Sequence, residues 1–178
     1  ILFGDSLMAG YGLDQGDHLS IILETNLLKK GYNVKVINAS VSGDTTAGGV
    51  NRINWTLREN NIDIFILGLG ANDMLRGIKP SATKKNLENI VNIVIGRKIK
   101  VILAGMVAPK TYGKKYKKEF DEIFKKLSKK YNLTEVPFLL DGVALVPELN
   151  LEDGIHPNKK GIKIISQTLE NKIIPLIQ

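Results

Sequence analysis

The stretch Ile1-Leu2-Phe3-Gly4-Asp5-Ser6-Leu7 decides the fold and points to the chemistry. A short apolar, β-prone run stops at a glycine and gives way at once to a polar turn, which predicts a strand with the Ser6 hydroxyl at its carboxyl end. In open α/β sheets that edge is where ligands bind. A serine hydroxyl is a weak nucleophile unless a base takes its proton and donors receive the oxyanion it creates. The rest of the chain is therefore read for a base, an acid to orient it, and those donors.

Working outward, a Gly-containing loop runs from the Ser6 turn to Gly16, and Asp17 is placed to cap a helix that carries Leu19, Ile22, Leu23 and Leu27 and ends at Gly31. Val34 to Ala39 reads as a buried strand, followed by a loop rich in capping residues, Ser40 to Thr46, and a helix to about Arg58. Asp63 to Leu69 is nearly continuous in Ile, Phe and Leu, as in a strand covered on both faces. A helix opened by Pro80 follows, then a strand at Val101 to Ala104 and a lysine-rich helix over 114–131. Val136 to Leu140 is expected as an edge strand because it contains Pro137, and Asn158 to Ile173 as a final helix. Strands and helices alternate throughout, which predicts an α/β fold: a three-layer α/β/α sandwich around a five-stranded parallel sheet, in one domain spanning 1–178. Its switch point would gather the loops at Ser6, Gly43 and Asn72.

Composition narrows the function. The chain has 178 residues, 43% of them apolar, enough for one sizeable core. No run of eighteen apolar residues exists, so no stable membrane insertion is expected. No charged segment followed by an apolar one opens the chain, but the first strand is so short that a trimmed leader is expected. The absence of cysteine removes thiol nucleophiles, disulfides and thiolate metal sites together. The +7 charge comes mostly from lysines such as Lys114, Lys118, Lys125 and Lys129. They alternate with Phe120, Ile123, Phe124 and Leu127 in an amphipathic pattern, so they read as a solvated helix face and not a nucleic-acid surface.

With two histidines in the whole chain, the search for a base is short. His18 lies near the start of a helix and reads as structural; His156 lies in the polar loop Leu151-Glu152-Asp153-Gly154-Ile155-His156-Pro157. Asp153, three residues earlier, can turn its carboxylate onto one imidazole nitrogen and leave the other facing outward. The competing reading makes Asp153 a cap for backbone amides ahead of the last helix. For the oxyanion, Gly43 offers an unobstructed backbone N–H and Asn72 a side-chain amide, each following a strand, though either can also serve a turn.

Gly4-Asp5-Ser6-Leu7, Gly43 within Asn38-Ala39-Ser40-Val41-Ser42-Gly43-Asp44-Thr45, Asn72, and Asp153-Gly154-Ile155-His156-Pro157, in this order, resemble the four sequence blocks of the GDSL esterases, or SGNH hydrolases. Leu75-Arg76-Gly77 and the segment Pro109 to Gly113 are most similar to the bacterial acyl-CoA thioesterase I, lysophospholipase and arylesterase subgroup. The resemblance implies the flavodoxin-like topology of that family and a serine esterase acting on acyl esters, lysophospholipids or acyl-CoA thioesters. It implies Ser6 as nucleophile, His156 as general base and then acid, Asp153 as its orienting partner, and an oxyanion hole of the Ser6 and Gly43 N–H groups with the Asn72 side chain. It implies no metal or organic cofactor, a small-molecule partner, a monomer with at most surface contact with lipid, and a periplasmic or secreted setting that the chain itself leaves unknown. One departure is Ala71, where the family usually has glycine; its methyl is expected against the pocket wall. The loops after the third and fourth strands offer Met74, Leu75, Ile78, Met106 and Val107 for an acyl chain, with Arg76 or Lys79 near a polar head group. Two rivals remain: a carbohydrate or short-chain acetyl esterase on the same fold, weakened by the few aromatics near the site, and a non-catalytic flavodoxin-like phosphate-binding module, weakened by the absence of a phosphate-loop motif.

Overall fold

The structure, a computed structural model, describes residues 1–58 and 61–178. Four parallel strands, β1 (Leu2–Gly4), β2 (Ile64–Gly68), β3 (Lys100–Ala104) and β4 (Thr134–Val136), lie in that order across the sheet. Register pairs Phe3 with Leu67, Leu67 with Leu103, and Leu103 with Glu135. Between them run α1 (Ser6–Ala9), α2 (Leu19–Lys29), α3 (Thr46–Thr56), α4 (Ala71–Leu75), α5 (Pro80–Gly96), α6 (Lys114–Tyr131) and α7 (Lys159–Ile177). Helix α5 contacts both α3 and α6 on one side of the sheet, while α2 and α7 pair on the other. The three layers follow from strands whose residues are buried on both faces: Phe65, Leu67, Ile102 and Leu103 all lie in the core.

The fifth strand expected at Val34 to Ala39 does not form a full ladder. The segment runs beside β1, with Leu2 N–H donating to Ile37 O (2.9 Å) and Ala39 N–H to Leu2 O (2.9 Å), but keeps only a single parallel bridge, Leu2 to Asn38. Side chains explain the interruption. The Val36 N–H donates to the Glu24 carboxylate (2.7 Å), and the Gly4 N–H donates to the Ser40 hydroxyl (3.1 Å), the place where a neighbouring strand's carbonyl would accept. Counting this bridged segment as second in the chain, the order is that of the flavodoxin-like doubly wound sheet.

The last strand also differs from expectation, covering Thr134–Val136 and not Val136 to Leu140. Pro137 has no N–H and ends the ladder. Its carbonyl lies where a β-carbon on Gly105 would sit, 2.4 Å away, so the close approach requires glycine there. The lysine-rich helix is as expected. It buries Phe120, Ile123, Phe124 and Leu127, each worth about 1.5–3 kcal/mol, and keeps Lys118, Lys125 and Lys129 in solvent.

Candidate active site

Ser6 is the first residue of α1, so the polar turn expected after β1 is a one-turn helix. Asp5 caps it: its backbone is extended and its Oδ1 accepts the Leu7 N–H at 3.1 Å. The turn is tight enough that a β-carbon on Gly4 would lie 2.8 Å from both Gly68 O and Met8 Sδ. Strand, glycine and cap together put the half-buried Ser6 hydroxyl at the carboxyl edge of the sheet.

From the loop before α7, His156 places Nε2 2.9 Å from Ser6 Oγ and Nδ1 2.7 Å from Asp153 Oδ2. Asp153 meets both backbone amides and the imidazole, one set on each oxygen. Its Oδ1 accepts the N–H groups of Ile155 (2.9 Å) and His156 (3.0 Å), while Oδ2 takes the imidazole. These backbone donors first, and the imidazole after them, hold the Asp153 carboxyl down at about 2. An ionised Asp153 assigns the proton to Nδ1 and leaves Nε2 to accept the Ser6 O–H. Asn158, not Asp153, caps α7 by accepting from the N–H groups of Lys160 and Gly161. His18 packs against Gly10 and sits 3.3 Å from Leu13 O, outside this constellation.

Gly43 has φ 79°, the left-handed region that favours glycine. Neither its N–H nor that of Ser6 donates a hydrogen bond to another backbone carbonyl among the described residues. Asn72 is the second residue of α4, beside the Asp5 carboxyl, whose ionisation it favours. Burial dominates at Asp5, however, raising its carboxyl to about 6; Oδ2 is buried without a hydrogen-bond partner.

Supporting residues that sequence reasoning missed tie these pieces together. Asp73, fully buried next to Asn72, accepts from Thr46 N–H (2.8 Å), Thr46 Oγ1 (2.5 Å) and Thr83 Oγ1 (3.1 Å), and Asn86 Nδ2 donates to Thr46 Oγ1 (3.1 Å). Arg52 donates to Asp44 Oδ2 (2.7 Å), Ala39 O (2.5 Å) and Gly4 O (3.2 Å), with its guanidinium 3.7 Å from the Phe3 ring centroid. Arg76 donates to Gly43 O at 2.8 Å and ties α4 to the Gly43 loop. Asp73 had a local signal, a charge beside Asn72; Arg52, Thr46 and Thr83 had none, because their contacts join positions far apart in sequence.

The residues expected to line an acyl pocket are divided. Met74 and Met106 are buried in the core, Ile78 is half-buried, and Leu75 and Val107 are exposed. Ala71, expected at the pocket wall, opens α4 and is buried with the core. The clefts between α2 and α7 and below the amino edge of the sheet include neither Ser6 nor His156.

Residues 2–164 match the family described as GDSL-like lipase/acylhydrolase. An arylesterase of Vibrio mimicus is 33% identical, over 98% of this chain and 87% of its own length. The thioesterase 1/protease 1/lysophospholipase L1 of Escherichia coli K12 is 32% identical, over 99% of this chain and 84% of its own. Among solved structures, AlinE4, an SGNH-hydrolase family esterase, superposes with a TM-score of 0.83 at 42% identity, covering 99% of this chain and 95% of that one. A match over most of the chain, in sequence and in fold, makes the conclusion plain: the chain is a hydrolase that belongs to the GDSL-like lipase/acylhydrolase family.

Proposed function

We propose that the protein hydrolyses carboxylic esters and thioesters by nucleophilic attack of Ser6. The observation that carries this reading is the unbroken chain Ser6 Oγ, His156 Nε2, His156 Nδ1, Asp153 Oδ2, with contacts of 2.9 and 2.7 Å. Both lie within the reach a general base needs.

In this reading His156 Nε2 takes the Ser6 proton as Oγ adds to the acyl carbonyl. The oxyanion is received by the N–H groups of Ser6 and Gly43 and by the Asn72 amide. His156 then gives its proton to the departing alkoxide or thiolate, leaving an acyl-Ser6 ester. A water deprotonated by the same imidazole adds to that ester, and collapse releases the carboxylic acid and returns the proton to Ser6. Asp153, ionised far below neutrality, steadies the imidazolium in both halves. No step requires a metal or an organic cofactor.

The names arylesterase and thioesterase 1/protease 1/lysophospholipase L1 support aryl esters, acyl thioesters and lysophospholipids as the substrates to try. The reading takes 1–178 as one hydrolase domain working as a monomer and meeting lipid at its surface; no helix among the described residues is long and apolar enough to cross a membrane. Its test is hydrolysis of acetyl to long-chain aryl esters and acyl-CoA by the wild type and by Ser6→Ala. Turnover that survives the substitution overturns the assignment of Ser6.

A further inference from the structure

The imidazole of His156 has its two nitrogens engaged in the plane of the ring; its face is occupied as well. The Tyr11 ring lies over it with centroids 4.4 Å apart and planes 36° from parallel. Tyr11 comes from the loop after α1, the element that carries Ser6, so this contact bridges the nucleophile's loop and the base's loop.

The backbone around Tyr11 is built to hold it there. Tyr11 stands between Gly10 (φ 92°) and Gly12 (φ 70°), both in the left-handed region. A β-carbon on Gly10 would lie 2.3 Å from the His18 ring, and one on Gly12 would lie 2.7 Å from Leu151 Cδ1. Leu151 in turn donates its N–H to His156 O at 2.7 Å. The Gly-Tyr-Gly turn therefore packs on His18 on one side and on the His156 loop on the other. Tyr11 is 51% exposed, so burial does not account for its position.

We propose that Tyr11 is a positioning residue for the reaction: its ring covers one face of the His156 imidazole, fixes the ring plane between Ser6 and Asp153, and favours the imidazolium formed during acyl transfer. An aromatic face within about 6 Å of a cation attracts it through the ring quadrupole. The inference rests on the reading of His156 as the base. The charged groups facing the imidazole are Asp153 from its own loop and Asp5 from the cap of α1, and both remain in place when Tyr11 is changed.

The experiment compares Tyr11→Leu and Tyr11→Phe with the wild type in kcat and kcat/KM for a soluble aryl ester across the pH range. Removing the aromatic face should lower kcat about two- to fivefold, as expected for a partly exposed contact. It should also move the acid limb of kcat/KM to lower pH by about 0.4–0.7 unit, because protonation of the base is then less favoured. Tyr11→Phe should keep both near the wild-type values. Proton NMR reads the contact directly, since the chain has only two histidines. The His156 ring C–H resonances should lose their ring-current shift in Tyr11→Leu and keep it in Tyr11→Phe, with His18 as the internal control. An unmoved acid limb in a folded Tyr11→Leu protein, or a Phe variant as impaired as the Leu variant, overturns the proposal. Should His156→Ala leave activity intact, the reading of the base fails instead, and the two failures are distinguishable.

Discussion

At the scale of single residues, two carboxylates near His156, Asp5 and Asp153, are driven in opposite directions by their surroundings. Backbone N–H groups hold Asp153 at about 2, so it is ionised at neutral pH. Burial raises Asp5 to about 6 against an ordinary 3.8. The folded protein then binds a proton at Asp5 that the unfolded chain does not, so this residue makes stability rise as pH falls from about 6 to about 4. Asp5→Asn should be the more stable protein at pH 7 by up to about 3 kcal/mol, the two pKa values differing by roughly two units. The gap should close by pH 4, and denaturant titrations at both pH values check it; a constant gap contradicts the ionised, buried carboxylate. Asn72 makes a second residue-scale test. Asn72→Ala removes one donor from the proposed hole and should cost about 100- to 1000-fold in kcat with little change in thermal stability. A near wild-type rate would remove Asn72 from the hole.

At the scale of elements, the site is assembled by short helices and loops that the strands merely end in. Helix α4 is five residues long and cannot be stable by itself. What holds it is Asp73, buried among Thr46, Thr83 and the N-terminus of α3. Asp73→Ala leaves buried donors without an acceptor, each costing about 1–3 kcal/mol, so the variant should lose roughly 3 kcal/mol or more and lower kcat as Asn72 drifts. Asp73→Asn, which retains one acceptor oxygen, should recover part of both. Equal stability of wild type and Asp73→Ala in urea would contradict this account. The same element shows where sequence reading stops. Pro80, Gly31 and the apolar spacing of α5 and α6 announce their helices locally. By contrast, α1 and α4 exist because Asp5 and Asp73 find partners, one local and one 27 residues away. Ser40 broke the expected second strand through a hydroxyl whose target, Gly4 N–H, lies 36 residues back.

At the scale of the whole molecule, the placement of Ser6 and Asn72 was legible because each follows a strand, and parallel strands deliver all their carboxyl ends to one edge. His156, 150 residues from Ser6, reaches that edge from the loop between the Pro147–Leu149 turn and α7. The acyl pocket was not legible. Apolar loop residues such as Met74 and Met106 are equally suited to a pocket or a core, and packing sent them to the core. Long-range staples complete the assembly: Glu170 on α7, buried, accepts from Asn26 Nδ2 (2.7 Å) and Lys30 Nζ (2.5 Å) on the α2 side. With the two outer layers tied through one core, thermal unfolding should be a single transition, and gel filtration should give a monomer. Two resolved transitions would count against the single-domain reading, and a dimer at micromolar concentration against the monomer.

Everything proposed for the site depends on Ser6 being an activated nucleophile with His156 as its base. The most direct measurement is reaction of the folded protein with a fluorophosphonate followed by peptide mass spectrometry, which reports an activated serine without knowledge of the substrate. One adduct is expected, on Ser6, abolished in His156→Ala and unaffected by changes at His18. Absence of an adduct on the folded wild-type protein, or labelling of Ser6 that persists unchanged in His156→Ala, would contradict it.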